Sequence, residues 1–215
     1  MLYLFDFDGT IVDSAPGVTK SAQVAMVRMG YPEYPIEKLR FFMGPPLNYS
    51  FREMIGMTEA EAEQAVVYFR ERYREMGKLE CSVYPGIPAL LEKVKHAGHK
   101  VAVASAKPEP FVREIMDHFG ILGYFDCVVG ASMDEKMSDK ANNIRRAMDG
   151  TGFGECFDGT WMIGDRKYDM EGAKEVGIKA IGVLYGYGTR EELESTGADV
   201  IAATVKDLEG ILLQA

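Results

Sequence analysis

The chain predicts an α/β fold: a parallel sheet with helices on both faces, interrupted by an all-helical insertion. Three observations predict it. From residue 88 onward, short apolar runs alternate with amphipathic stretches, the pattern of strands joined by crossover helices. Residues 16–77 hold no convincing strand and read as a helical block between two strand-bearing regions. The first strand ends in two carboxylates two positions apart, at the edge where open α/β sheets hold their ligands. At 215 residues there is room for one sizeable core and a smaller inserted unit. The predicted division is a core of 1–14 with 84–215 and an insert of 15–83.

Leu2–Asp6 is the first strand, apolar throughout until its last residue. Residues 11–15 read as a connector. Pro16 opens a helix with Val18, Ala22, Ala25, Met26 and Met29 on its apolar stripe, and Gly30 ends it. A short helix over 36–42 is broken by Gly44-Pro45-Pro46, and a further helix fits 47–56. Thr58-Glu59-Ala60-Glu61 is a capping box that starts a long helix to about Met76. Its stripe is Ala62, Ala65, Val66, Phe69 and Tyr73. Helices are then predicted at 88–97, 110–119, 139–148, 167–176, 190–195 and 205–213. Strands are predicted at 100–104, 127–129, 161–163, 180–183 and 199–201. The insert hangs on two short tethers, 11–15 and 78–86, which permits a hinged lid; the alternative is a rigid helical extension.

Composition is that of an ordinary globular protein, 47% hydrophobic and 27% charged. The net charge of −9 argues against a nucleic-acid-binding face. An anionic substrate would need local positive charge from a metal ion, a lysine or helix N-termini. Cys81, Cys127 and Cys156 are odd in number and have no metal-like spacing, so free thiols in a reducing cytoplasm are expected. No charged leader precedes the first apolar segment, and no run approaches membrane-spanning length. His96, His99 and His118 have no ligand spacing and receive no role.

Asp6 and Asp8 lie at i and i+2, so both should project to one side. Paired carboxylates persist when a cation lies between them or one carries a proton. Both states serve phosphoryl chemistry, through a magnesium ion held by oxygens and an acid for the leaving group. Gly9 lets the backbone approach an anion and offers its N–H, and Thr10 adds a hydroxyl. The plain alternative is a strand ending in an Asp-Gly turn. Ser105-Ala106-Lys107-Pro108 ends a later strand; a hydroxyl and open N–H groups there suit a phosphate oxygen, or Ser105 is a helix N-cap. Lys140 starts a helix, where the dipole disfavours a cation, so it can point inward at an anion; Lys136 reads as solvated. Gly164-Asp165 ends another buried strand and could complete an oxygen cage. Asp169, one turn on, could bond a lysine or metal-bound water, or be a first-turn acid. Arg166 and Lys167 read as surface charges, or one of them meets the lid; the Gly182–Gly188 run either borders the pocket or is a plain turn, and the turn is preferred.

Four strand ends thus offer groups that one reaction needs. At this point the sequence resembles the phosphatase branch of the haloacid dehalogenase superfamily. Asp6-Phe7-Asp8-Gly9-Thr10, Ser105, Lys140 and Gly164-Asp165 with Asp169 look like its four motifs in order. The helical insert is similar to the cap of the subclass containing phosphoglycolate phosphatases, beta-phosphoglucomutases and several 5'-nucleotidases. Phe42-Met43-Gly44-Pro45-Pro46-Leu47 and Gly164–Asp169 most resemble phosphoglycolate phosphatase-like and 5'-nucleotidase-like bacterial members.

The resemblance implies a Rossmann-like core, a cap domain and a Mg2+-dependent phosphomonoesterase. Asp6 would attack phosphorus and form an aspartyl-phosphate. Asp8 would protonate the leaving oxygen and then activate water. Asp6, the Asp8 backbone carbonyl and Asp165 would bind Mg2+, with support from Asp169. Ser105, the N–H groups of Gly9 and Ala106, and Lys140 would hold the phosphoryl group, beside Thr10. Asp8 sets the chain apart from dehalogenases, which lack the second aspartate. One departure is that no proline follows Lys140, and Lys136 is a nearby competitor for its role. A phosphomutase of the beta-phosphoglucomutase type or a pyrophosphatase are the alternatives. A small phosphorylated metabolite is the expected partner, with no nucleic acid and no membrane, for a monomer or homodimer. Arg40, Gly44, Pro46 and Asn48 are the cap residues expected to face it.

Overall fold

The computed structural model describes residues 1–133 and 139–214. Lys136, the competitor for the Lys140 role, lies outside the described residues. Contacts divide the chain into two compact units, Met1–Asp13 with Val83–Ala215, and Ser14–Ser82.

The smaller unit is helical. Its helices are α1 (Ala15–Arg28), α2 (Leu47–Tyr49) and α3 (Glu59–Glu75). Ala22, Ala25 and Met26 of α1 and Ala62, Ala65, Phe69 and Tyr73 of α3 are buried. The capping box forms as its spacing predicts. Glu61 N–H donates to Thr58 Oγ1 at 3.4 Å, and Thr58 N–H to Glu61 Oε2 at 2.8 Å. Two helices depart from expectation. Ile36–Phe42 is wound as a 3-10 helix, and α2 passes into a π-helical turn over Ser50–Met54. Packing overrides the ordinary winding there: Phe51 is fully buried, with its ring 4.8 Å from that of Phe42.

The larger unit carries the sheet. Its strands are β1 (Leu2–Phe5), β4 (Lys100–Pro108), β5 (Cys127–Ala131), β6 (Thr160–Gly164), β7 (Lys179–Val183) and β8 (Val200–Ala202). They form one parallel sheet in the order β5-β4-β1-β6-β7-β8. Two short segments, β2 (Val12–Asp13) and β3 (Ser82–Val83), make a separate two-stranded sheet. The connector expected over 11–15 therefore contains a strand.

From β1 the chain winds outward through β4 and β5, then returns to β6 on the other side of β1. Winding reverses beside β1, so a crevice is expected at the carboxyl end of that strand. The helices here are α4 (Ile87–His96), α5 (Glu109–His118), α6 (Lys140–Thr151), α7 (Lys167–Val176), α8 (Arg190–Thr196) and α9 (Val205–Gln214). Alternation along β1 serves both layers. Leu2 and Leu4 join a buried cluster with Ile144 and Met148 of α6, Met170 of α7 and Leu193 of α8. Tyr3 is buried, and its hydroxyl donates to Leu212 O of α9 at 2.8 Å.

β4 differs most from expectation. It runs past Ala104 to Pro108, through a bulge. Ala104 pairs with Val129 and Pro108 with Ala131, so four residues of β4 span two of β5. Among the described residues no helix is long and apolar enough to cross a membrane.

Candidate active site

Asp6 follows β1 directly, and its N–H donates to Ile163 O of β6 at 2.8 Å. The chain then turns tightly. Phe7 O accepts from the N–H groups of Thr10, Ile11 and Val12. Gly9 N–H donates to Val12 O at 2.8 Å, so the amide expected to face a phosphoryl group is engaged within the turn. The glycine is required sterically. Its φ is +80°, and a Cβ there would lie 2.2 Å from Asp165 Oδ2.

Carboxylate oxygens of Asp6, Asp165 and Asp169 lie within 4.8 Å of one another. Asp165 and Asp169 are fully buried. Asp165 follows β6 and is held from two sides. Thr10 Oγ1 donates to its Oδ1 at 3.3 Å, and Tyr187 N–H to its Oδ2 at 2.8 Å. Thr10, expected near a phosphate, thus spends its hydroxyl on Asp165. Asp169 Oδ2 accepts from Arg166 N–H at 3.1 Å. Lys140 Nζ reaches Asp6 Oδ1 at 3.0 Å, Asp169 Oδ1 at 2.7 Å and Ala104 O at 3.0 Å. The inward-pointing reading of Lys140 is what the structure shows, and Asp169 is no plain first-turn acid.

The electrostatics are unbalanced. Three carboxylates face one ammonium. Burial, then the charges of Asp169 and Asp6, push the Asp165 carboxyl well above the usual range. Burial lifts Asp169 to about 6 against the opposing pull of Lys140. Burial alone would lower the Lys140 pKa, but the charges of Asp169 and Asp6 outweigh it and raise it. Asp6 Oδ1 and Asp169 Oδ1 are buried without a well-directed hydrogen bond, Lys140 standing at ion-pair distance only. An all-oxygen set with excess negative charge and spare acceptor capacity fits a hard divalent cation such as Mg2+.

Asp8 does not join this group. Its carboxylate is bound by Lys107, whose Nζ donates to Oδ1 at 2.8 Å and to Oδ2 at 3.2 Å. Asp6 and Asp8 are neighbours in sequence but have separate cationic partners. A role for Asp8 in holding a metal would rest on its backbone carbonyl.

Ser105 and Lys107 sit in the β4 bulge. Ser105 is buried, and its Oγ accepts from Lys107 N–H at 3.3 Å, while its carbonyl accepts from Asn143 Nδ2 at 2.8 Å. It is not a helix N-cap, because α5 begins after Pro108. Ala106 is exposed. Arg40, Gly44 and Pro46 are exposed and Asn48 half-buried, all within the helical unit.

Several readings need correction. The Gly182–Gly188 run is part of the site's frame. A Cβ on Gly186 would lie 2.3 Å from Gly9 O and 2.4 Å from Asp165 Cβ, and Tyr187 Oη donates to Asp13 Oδ1 at 2.9 Å. Arg166 is no free surface charge; its Nε pairs with Glu192 Oε1 at 2.9 Å. Lys107 and Asn143 were missed. The available signal for Lys107 was its place two residues after Ser105 at a strand's carboxyl edge.

A family model described as haloacid dehalogenase-like hydrolase matches residues 3–183. A 5'-nucleotidase from Pseudomonas aeruginosa is 41% identical over 89% of this chain and 86% of its own length. Tyrosine-protein kinase PtkA from Mycobacterium tuberculosis is 35% identical over 98% of this chain and 72% of its own length. The crystal structure of a predicted phosphatase from Clostridium acetobutylicum superposes with a TM-score of 0.91 at 40% identity, covering 100% of this chain and 98% of that one. The sheet order, the acidic strand ends and these likenesses agree. The chain belongs to the haloacid dehalogenase-like hydrolases, among the phosphatases that cleave phosphoric monoesters.

Proposed function

We propose that the protein is a Mg2+-dependent phosphomonoesterase acting on a small soluble metabolite through an aspartyl-phosphate. The observation that carries this is the oxygen cluster of Asp6, Asp165 and Asp169 around Lys140, with a second carboxylate, Asp8, held apart from it. An Asp6 oxygen attacks phosphorus in line, and the bond to the ester oxygen breaks. Asp8 gives its proton to the departing alcohol. Deprotonated Asp8 then takes a proton from water, which attacks the acyl phosphate, releases inorganic phosphate and regenerates Asp6. Ser105, the Ala106 N–H and Lys140 bind the phosphoryl oxygens. Mg2+ held by Asp6, Asp165 and the Asp8 carbonyl, with Asp169 in support, would offset the charge that develops there.

Nucleoside 5'-monophosphates lead the candidate substrates, given the 5'-nucleotidase likeness; phosphoglycolate follows from the motif resemblance. Residues 1–14 and 84–215 are the catalytic core and 15–83 the cap, where Arg40, Gly44, Pro46 and Asn48 are candidate specificity residues. The setting is the cytoplasm, as a monomer or homodimer. The test is turnover of an aryl phosphate, which chelator and Asp6→Asn should each abolish. Retained turnover in Asp6→Asn rejects Asp6 as the nucleophile. A second reading sends the phosphoryl group to an acceptor other than water, as in a phosphomutase; the kinase-named relative supports considering it. Isomerisation of beta-glucose 1-phosphate without free phosphate would favour that reading.

A further inference from the structure

We propose that Lys107 is a positioning residue that keeps the Asp8 carboxylate out of the cation cluster and so reserves it for proton transfer. This rests on the phosphatase reading above and adds a residue to it.

Asp8 lies two positions from Asp6, whose carboxylate belongs to the cluster, and a hard cation there attracts oxygen ligands. A free carboxylate there would be drawn in as a further ligand. Lys107 prevents this by holding both of its oxygens, at 2.8 and 3.2 Å. The pair is built into the fold. The Lys107 side chain is 6% exposed, and an ammonium so buried is retained only with a partner. The bulge between Ala104 and Pro108 releases residues 105–107 from the regular register of β4. The Ser105 hydroxyl fixes the Lys107 backbone N–H. The Phe7 ring lies 5.8 Å from the ammonium. Lys140 cannot substitute, since it is committed to Asp6 and Asp169. The two lysines therefore hold different carboxylates. Lys140 stays with the cluster, and Lys107 separates the proton carrier from it.

The experiment uses the full chain, with Lys107→Met, Lys107→Arg, Asp8→Asn and the double variant Lys107→Met/Asp8→Asn. Mg2+ affinity is read by calorimetry without substrate, and kcat and KM with an aryl phosphate. Lys107→Met should lower kcat by about 10-fold or more with KM little changed. It should also tighten Mg2+ binding, by about 3-fold or more. Lys107→Arg should restore most of both. In the Asp8→Asn background, Lys107→Met should no longer alter Mg2+ affinity. If Lys107→Met does not fold, Lys107→Gln carries the same comparison. Unchanged Mg2+ affinity and kcat with only a lowered melting temperature would make the pair merely structural and overturn the proposal. So would the same gain in affinity with Asp8 already replaced. If the wild-type protein neither binds Mg2+ nor turns over the ester, both readings fall; a normal wild type with an unresponsive Lys107→Met overturns this one alone.

Discussion

Lys140 Nζ stands 3.0 Å from Asp6 Oδ1 and 2.7 Å from Asp169 Oδ1, so one buried ammonium is shared by the end of β1 and the first turn of α7. It is the main counter-charge the chain itself supplies to three clustered carboxylates. Replacing it by methionine keeps the volume and leaves that charge uncompensated. Lys140→Met should cost about 3–5 kcal/mol in urea unfolding with chelator present. Millimolar Mg2+ should recover part of the loss, because a ligand of the native state stabilises it.

The stem of that lysine crosses α7 at Gly172. A Cβ there would lie 2.6 Å from Lys140 Cγ and 3.1 Å from its Cβ. Gly172→Ala should therefore lose about 1–3 kcal/mol to overpacking, although alanine favours helix. Activity should fall as Lys140 is displaced. Gly210 of α9 has nothing within 4 Å of the same position, so Gly210→Ala should be neutral or gain up to about 1 kcal/mol. Paired thermal melts and aryl phosphate assays check both.

Gly186 is wedged between Gly9 O and Asp165 Cβ. An alanine must move one of them, and both help shape the acidic cluster. Gly186→Ala should weaken Mg2+ binding by about 10-fold or more, measured by calorimetry. Unaltered affinity would show that the loop following β7 adapts without disturbing Asp165.

The helical unit has its own pH signature. Glu80 accepts hydrogen bonds from Arg72 and, at 3.1 Å, from Lys20. The Arg72 bond, opposed by partial burial and helped by Lys20, holds its carboxyl below the ordinary value. A depressed folded pKa gives stability that is present above the unfolded value and lost as pH falls through the folded one. Glu80→Gln should cost about 1–2 kcal/mol near neutral pH. The gap from wild type should close as the medium is acidified below the normal carboxylate range, which chemical denaturation at a series of pH values would show.

Much of this architecture was legible in the residues, for identifiable reasons. The strands of the sheet are apolar runs bounded by glycine or polar residues, and buried parallel strands have no other signature. Asp6, Asp165 and Lys140 could be located because each ends a strand or starts a helix at the sheet's carboxyl edge. The roles of Lys107, Tyr187 and Gly186 were not legible. The Lys107 contact depends on a bulge, and no local pattern announces a register shift between β4 and β5. Tyr187 acts on Asp165 through its backbone N–H, which any residue except proline possesses. Gly186 matters for what lies opposite it, Gly9, far away in the chain. The π-helical turn at Ser50–Met54 was missed because burial of Phe51, rather than local propensity, sets its winding.

Asp165 is gripped by Thr10, 155 positions earlier, and by Tyr187, 22 positions later. Asp165 is therefore made before the residue whose N–H completes its grip. A chain stopped before residue 187 would carry the motif letters and lack the N–H that fixes one Asp165 oxygen. Closure of the acidic cluster therefore depends on a residue that lies well beyond the last of its own carboxylates.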